Sequence, residues 1–254
     1  MSKTLPERLI DENGLRLDGR RPEEVRPIKL KVGVLENADG SAYIEQGKNK
    51  ILVGVYGPRE AHPKHMVLPD RGILRCRYRM APFSTDERKN PAPSRREIEI
   101  SKVIRESLEP AVVTEYYPRT VIDVFIEVLQ SDGGTRCAGI VAASLALADA
   151  GISMRELVSA CSAGKAAGQI IIDLFDLEDK LGEADMPVAL MSNLNAVTLL
   201  QMDGKLSREE FERAFEMAAD ACRKIRDLQV EALKERYQVP VDTGEQQTPQ
   251  EENK

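Results

Sequence analysis

Residues 119–151 read RTVIDVFIEVLQSDGGTRCAGIVAASLALADAG, and three kinds of local order follow one another along them. Arg119–Leu129 alternates. Ile122, Val124, Ile126 and Val128 share one face, as the period of two in a strand requires. Ser131-Asp132-Gly133-Gly134-Thr135-Arg136 turns the chain. Cys137–Ala150 then predicts a helix so rich in Ala and Gly that its neighbours must approach closely, and Gly151 stops it.

Upstream, Ile28–Val34, Gly40–Glu45 and Lys50–Tyr56 are short, partly alternating segments. Asn37-Ala38-Asp39-Gly40 and Gln46-Gly47-Lys48-Asn49 separate them as turns, which predicts an antiparallel meander. Ile73–Met80 alternates apolar and basic residues, a strand with Arg75, Arg77 and Arg79 on its wet face. Residues 81–93, APFSTDERKNPAP, form a polar loop. Ser94 and Glu97 then fit a capping box, and Ile100, Val103, Ile104, Ser107, Leu108 and Ala111 mark the buried stripe of a helix.

Downstream, residues 152–164 are ambiguous, Ile170–Leu177 predicts a strand, and an acidic loop follows. Pro187–Met191 and Ala196–Met202 make a hairpin around Ser192-Asn193-Leu194-Asn195. Ser207 with Glu210 repeats the capping box and opens a long amphipathic helix to about Tyr237, with Phe211, Phe215, Ala218, Cys222 and Ile225 inward. Strands come in runs and helices singly, an α+β arrangement of mixed sheets packed with helices rather than a doubly wound sheet. The expected organisation is a flexible start over 1–13, one domain over 14–240, and a disordered acidic tail over 241–254.

The 254 residues suffice for a real core, and 42% hydrophobic content excludes wholesale disorder. No apolar run approaches the roughly 20 residues that cross a bilayer. The opening MSKTLPERLIDENG lacks the apolar stretch of a secretory signal, so a cytoplasmic location is expected. Cys76, Cys137, Cys161 and Cys222 are far apart, without the spacing of a zinc site or a disulfide framework, and Cys137, Cys161 and Cys222 read as small buried thiols. His62 and His65 read as a surface turn. With aromatics at 4% and no Trp, extensive base stacking is disfavoured, although Tyr78 or Phe83 can help locally. The net charge is −6, yet in residues 71–105 ten cations against four acids leave +6. Such a strip suits either a directed polyanion site or a solvated face paired with acids elsewhere.

Three stretches carry chemistry. At the double-glycine turn, free N–H groups of a helix start, a Thr135 hydroxyl and the fork of Arg136 together suit an anion; the alternative is a tight turn with Thr as N-cap. Arg95 and Arg96 would sit in the first turn of their helix, the wrong end for cations. Phosphodiester oxygens would relieve them, and so would local acids such as Glu99. Residues 176–185 hold five acids and one lysine, with Asp185 at the start of a strand. Clustered carboxylates raise one pKa or recruit a divalent cation, unless the run is only a solvated turn.

RLDGRRPEEVRPI (16–28), APFSTDERKNPAPSRREIEISKVIRESLEP (81–110), QSDGGTRCAG (130–139) and LEDKLGEADMP (177–187), taken together and in this order, resemble the RNase PH family. Within it they resemble most the catalytic ring subunits of archaeal exosomes. The resemblance spans roughly residues 13–237. It implies a ribosomal protein S5 domain 2-like fold and 3′→5′ phosphorolysis of single-stranded RNA ends to nucleoside diphosphates, reversible into tailing. It implies a hexameric ring of three heterodimers with a non-catalytic RNase PH-like partner, carrying RNA-binding cap subunits. By motif, Gly134, Thr135, Arg136 and Arg96 correspond to the phosphate site, and Arg95 and Arg96 to the RNA-backbone clamp. Asp179 and Asp185 correspond to the catalytic carboxylates associated with Mg²⁺, with inorganic phosphate as co-substrate. Two alternatives stay open: a non-catalytic RNA-binding ring subunit, or a metal-dependent hydrolytic nuclease.

Overall fold

Alternation and turn chemistry build the first sheet. The structure, a computed structural model, describes residues 9–12, 14–62, 64 and 67–238. Strands β1 (Ile28–Val32), β2 (Gly40–Gln46) and β3 (Asn49–Glu60) form the expected antiparallel meander. The two-residue turn between β2 and β3 places Gly47 at φ +59°, a conformation that suits glycine. Strand β5 (Thr120–Gln130) pairs antiparallel with β3, and β4 (Ile73–Met80) pairs parallel with β5, giving the order β1-β2-β3-β5-β4. Ile44, Ile51, Val53, Val55, Val124, Ile126 and Val128 are buried in the main core beneath this sheet.

Helix α1 (Arg95–Leu108) carries the full capping box of Ser94 and Glu97, and every residue of its expected stripe is buried. Helix α2 (Thr135–Asp149) lies between the sheets, against β2 and β3 on one side and β6 on the other. Its small residues are what allow this. A Cβ at Gly139 would stand 3.3 Å from Ile104 Cδ1 and 3.6 Å from Ile126 Cγ2, contacts from α1 and β5.

The second sheet is antiparallel throughout, in the order β10-β8-β6-β7, with β9 also on β8. It comprises β6 (Ser159–Ala166), β7 (Gln169–Ile172), β8 (Ala184–Met191), β9 (Ala196–Leu200) and β10 (Asp203–Gly204). Helix α4 (Arg208–Tyr237) covers β6, β7 and β8 and reaches back to β1. Cys137, Cys161 and Cys222 are buried free thiols, as expected. Among the described residues no helix is long and apolar enough to cross a membrane.

The structure departs from expectation at four places. The ambiguous stretch 152–164 contributes most of β6. The strand expected over 170–177 stops at Ile172, because Asp173 turns to φ +52° and buries its carboxylate against Arg26. The expected acidic loop is a short helix, α3 (Asp176–Leu181), whose Asp176, Glu178 and Asp179 lie at the favourable end of its dipole. Glu178 is fully buried, its Oε1 accepting from Arg16 Nε at 2.7 Å, which explains why an acid-rich run takes fixed structure. Finally, Leu9 and Ile10 are buried with Ala166, Ile171 and Leu174, so the start expected to be loose is packed at those positions. Residues 1–8, 13 and 239–254, and with them the tail 241–254, lie outside the described residues.

Candidate active site

A helix start with nothing bonded to its first N–H groups is an anion receptor, and α2 offers one. The cap is Gly134 at φ +68°, without a side-chain hydrogen bond, so Thr135 is the first helical residue rather than the cap. Gly133, at φ +75°, is a glycine for a second reason. A Cβ there would lie 2.6 Å from the Phe175 carbonyl carbon and the Asp176 nitrogen. The start of α3 therefore rests directly on the turn, which brings Asp179 to the same end of α2.

Buried cations hold this junction. Arg26 donates to the carbonyl oxygens of Asp132 (2.7 Å) and Gly133 (3.2 Å) and to both carboxylate oxygens of Asp173. Asn49 Nδ2 donates to the Gly133 carbonyl at 2.6 Å, and Asn49 Oδ1 accepts from the Asp132 nitrogen at 2.5 Å. Gln46 Nε2 donates to Asp173 Oδ1 at 2.8 Å. Although burial opposes its charge, Arg26 beside it holds the Asp173 carboxyl below the ordinary carboxylate value.

Around the α2 start opens a cleft of about 420 Å³. Gly134, Thr135 and Arg136 line it from α2, Arg96 and Glu99 from α1, Asp179 from α3 and Asp185 from β8. The three segments singled out in the sequence thus converge on one cavity. Arg95 does not line it and stands exposed beside it at the first position of α1. Among the described residues neither Arg95 nor Arg96 makes an ion pair; Glu99, the acid that offered relief, faces Arg136 instead, at 3.5 Å.

Asp185 is the electrostatic anomaly. Its Oδ1 is enclosed without a hydrogen-bond partner. Burial first, and the nearby charge of Asp179 second, push its carboxyl up to about 7; Asp203 adds to this, while Arg136 and Arg96 pull the other way. Asp203 sits opposite Asp185 in the β10–β8 pairing.

The basic strip is divided between two surfaces. Arg75 pairs with Asp123 at 2.7 Å and Arg77 stacks over Phe125 at 5.7 Å. Arg79 lies opposite Glu127 in the register of β4 on β5. The strand's alternation turns these three away from the cleft, leaving Arg96 as the member of the strip that reaches it. Tyr78 is buried and bonded to Thr135, so it offers no stacking surface, whereas Phe83 is exposed. His62 is exposed, and His65 lies outside the described residues.

Sequence reasoning missed Gln201, whose Oε1 accepts from Arg136 Nη1 at 2.7 Å, and Asp203 and Ser162, which also line the cleft. It gave Arg16 and Arg26 no role. No local pattern distinguishes a buried arginine in a polar run from an exposed one, and the exit of the β8–β9 hairpin carries no signal of its own.

The chain matches the models of the 3′ exoribonuclease family, domain 1 over residues 24–153 and domain 2 over residues 156–221. It is 66% identical over 230 residues to the exosome complex component Rrp41 of Pyrococcus furiosus, covering 91% of this chain and 92% of that one. It is 60% identical over 232 residues to the exosome complex component Rrp41 of Methanopyrus kandleri, covering 91% and 97%. The crystal structure of rice (Oryza sativa) Rrp46 superposes with a TM-score of 0.76 at 25% identity, over 86% of this chain and 100% of that one. A chain of the Archaeoglobus fulgidus exosome with RNA bound to the active site shares the fold, with a TM-score of 0.74 at 23% identity over 85% and 92%.

Proposed function

The chain belongs to the 3′ exoribonuclease family of RNase PH, and from that premise we propose that it shortens RNA from the 3′ end with inorganic phosphate as the attacking group. It acts as the catalytic subunit of an exosome core ring in the cytoplasm. The partners are the ones its resemblance implies: a non-catalytic RNase PH-like subunit in three heterodimers, and RNA-binding caps. The observation that carries the reading is the meeting of an uncapped helix start, an unpaired Arg96 and the enclosed Asp185 in one cleft.

Gly134, Thr135 and Arg136 hold the free phosphate, whose charge meets the α2 N-terminus and the guanidinium held by Gln201. Arg96 bridges that phosphate and the last phosphodiester, and Arg95, outside the cleft, grips the RNA backbone further along. A phosphate oxygen forms a bond to the terminal phosphorus, and the bond from phosphorus to the preceding 3′-oxygen breaks. The leaving oxygen takes a proton, and a nucleoside diphosphate departs; the reverse reaction extends the RNA. No side chain acts as nucleophile. The protein holds two polyanions together and stabilises the charge that builds between them.

Neutral, Asp185 would supply the proton. Ionised, its unpartnered Oδ1 and Asp179 suit Mg²⁺, which takes one or two carboxylates with water and phosphate oxygens and needs no larger cage. Bound there, the metal would neutralise charge on the two phosphates. The chain co-expressed with its ring partner, given 3′-labelled RNA, should release diphosphates only when phosphate is added. Monophosphates released without phosphate would mean hydrolysis, and no release would mean a ring subunit without chemistry.

A further inference from the structure

Tyr78 occupies the middle of β4, where alternation points it inward between Arg77 and Arg79. It is 1% exposed, and its hydroxyl lies 2.7 Å from Thr135 Oγ1. That is the only hydrogen-bond partner the phenol has among the described residues. A buried O–H without an acceptor is costly, so the phenol donates and Thr135 accepts. Burial also pushes the Tyr78 phenol up to about 12, so it keeps its proton throughout the neutral range.

A hydroxyl has two acceptor lobes and a single proton. With Tyr78 occupying one lobe of Thr135, the threonine proton must go elsewhere. Within helices such protons commonly return to a carbonyl three or four residues back. Here those would be Asp132 and Ser131, and neither carbonyl accepts from Thr135 among the described residues; that of Asp132 accepts from Arg26 Nη1 at 2.7 Å. No hydrogen bond donated by Thr135 is present among the described residues, and Thr135 lines the cleft.

We propose that Tyr78 is a positioning residue of the anion site: by donating to Thr135 Oγ1, it turns the threonine proton toward a phosphate oxygen in the cleft. This rests on reading the cleft as a phosphate site. The frame around Tyr78 is built to hold it. Strand β4 is a sheet edge, and its free N–H groups donate to α1, Tyr78 N to Ser101 Oγ at 2.9 Å and Met80 N to Glu97 Oε1 at 2.9 Å. The same contacts tie Arg96 to the strand that carries Tyr78.

The test is a cycle of Tyr78→Phe, Thr135→Val and the double variant in the assembled ring. It reads KM for phosphate, kcat, RNA affinity and the rise in melting temperature on adding inorganic phosphate. Tyr78→Phe should raise the phosphate KM roughly 3- to 10-fold, the size of one hydrogen bond, with RNA affinity unchanged. In the Thr135→Val background it should raise it no further. The phosphate-induced rise in melting temperature should shrink in Tyr78→Phe whatever that variant's own stability. An equal KM in Tyr78→Phe and the parent, or an effect that persists undiminished in the Thr135→Val background, would overturn the proposal alone. A parent that neither binds phosphate nor depends on it would overturn the functional reading, and the proposal with it.

Discussion

Arg26 and Asp173, 147 residues apart in sequence, meet through Nη2–Oδ1 at 2.7 Å and Nε–Oδ2 at 3.0 Å, in a pocket sealed from solvent. The same guanidinium also holds the two carbonyls of the turn that begins α2. The pair therefore joins the start of the first sheet, the double-glycine turn and the connection from β7 to α3. Structure and site share one electrostatic joint.

Asp173→Asn removes the charge and leaves Arg26 and Arg20 facing a neutral group inside the protein. Breaking a buried pair on one side costs about 3–5 kcal/mol, and denaturant unfolding should read a loss of that order. The native carboxylate is held below its ordinary value, so its contribution is present above the normal carboxylate range and is lost as pH falls through the folded-state value. Wild type should therefore lose stability on acidification more steeply than Asp173→Asn does. Parallel acid profiles would place the stabilisation elsewhere.

Gly133→Ala tests the contact between the turn and α3. The new methyl group meets Phe175 and Asp176 backbone at 2.6 Å in a conformation unfavourable to alanine, so α3 must shift and take Asp179 with it. A misplacement of about 1 Å can cost on the order of 100-fold in turnover. RNA affinity, which the proposed clamp of Arg95 and Arg96 on α1 would set, should change far less. Equal losses in turnover and RNA affinity would point to general unfolding.

Elements held by local rules were legible in the sequence. The Ser94–Glu97 box and the apolar stripe of α1 can be read off spacing alone, and so can the alternation of β4 and β5. The cleft was legible wherever residue type implied an unmet need: two cations at the wrong helix end, two glycines before an arginine. What could not be read depends on distant partners. Asp173 ends β7 through a bond to Arg26, and Glu178 stabilises α3 through Arg16, 162 residues away. Gln201 reaches Arg136 only because β9 folds onto β8.

Arg95 and Arg96 should separate in function. Arg96 lines the cleft and Arg95 does not. Arg95→Ala should weaken RNA binding and lower the slope of log affinity on log salt by about 0.7, the value for one single-strand phosphate contact, with the phosphate KM unchanged. Arg96→Ala should do the same to RNA and also raise the phosphate KM. Identical kinetic effects of the two substitutions would argue that they form one undivided clamp.

Asp185 gives the folded protein a pH dependence of definite sign. Its folded-state value is raised to about 7, so between about pH 4 and 7 the folded protein binds more protons than the unfolded chain. The contribution of Asp185 to stability is then greatest at the acid end of that window, declines as pH rises toward 7, and levels off above it. Asp185→Asn has no charge to bury. In chelator it should be more stable than wild type at pH 8, by about 1–3 kcal/mol after allowance for partial solvent contact, and the advantage should vanish near pH 4. Its phosphorolysis should fall on the order of 100- to 10,000-fold while RNA still binds. The rate profile of wild type then separates the two uses of the carboxyl. A fall in rate above pH 7 whose midpoint ignores Mg²⁺ concentration marks a proton donor. A rate that instead rises through this range, with a midpoint that falls as Mg²⁺ is raised, marks a ligand, because metal and proton compete for the same oxygen. Undiminished turnover in Asp185→Asn would remove this residue from the chemistry altogether.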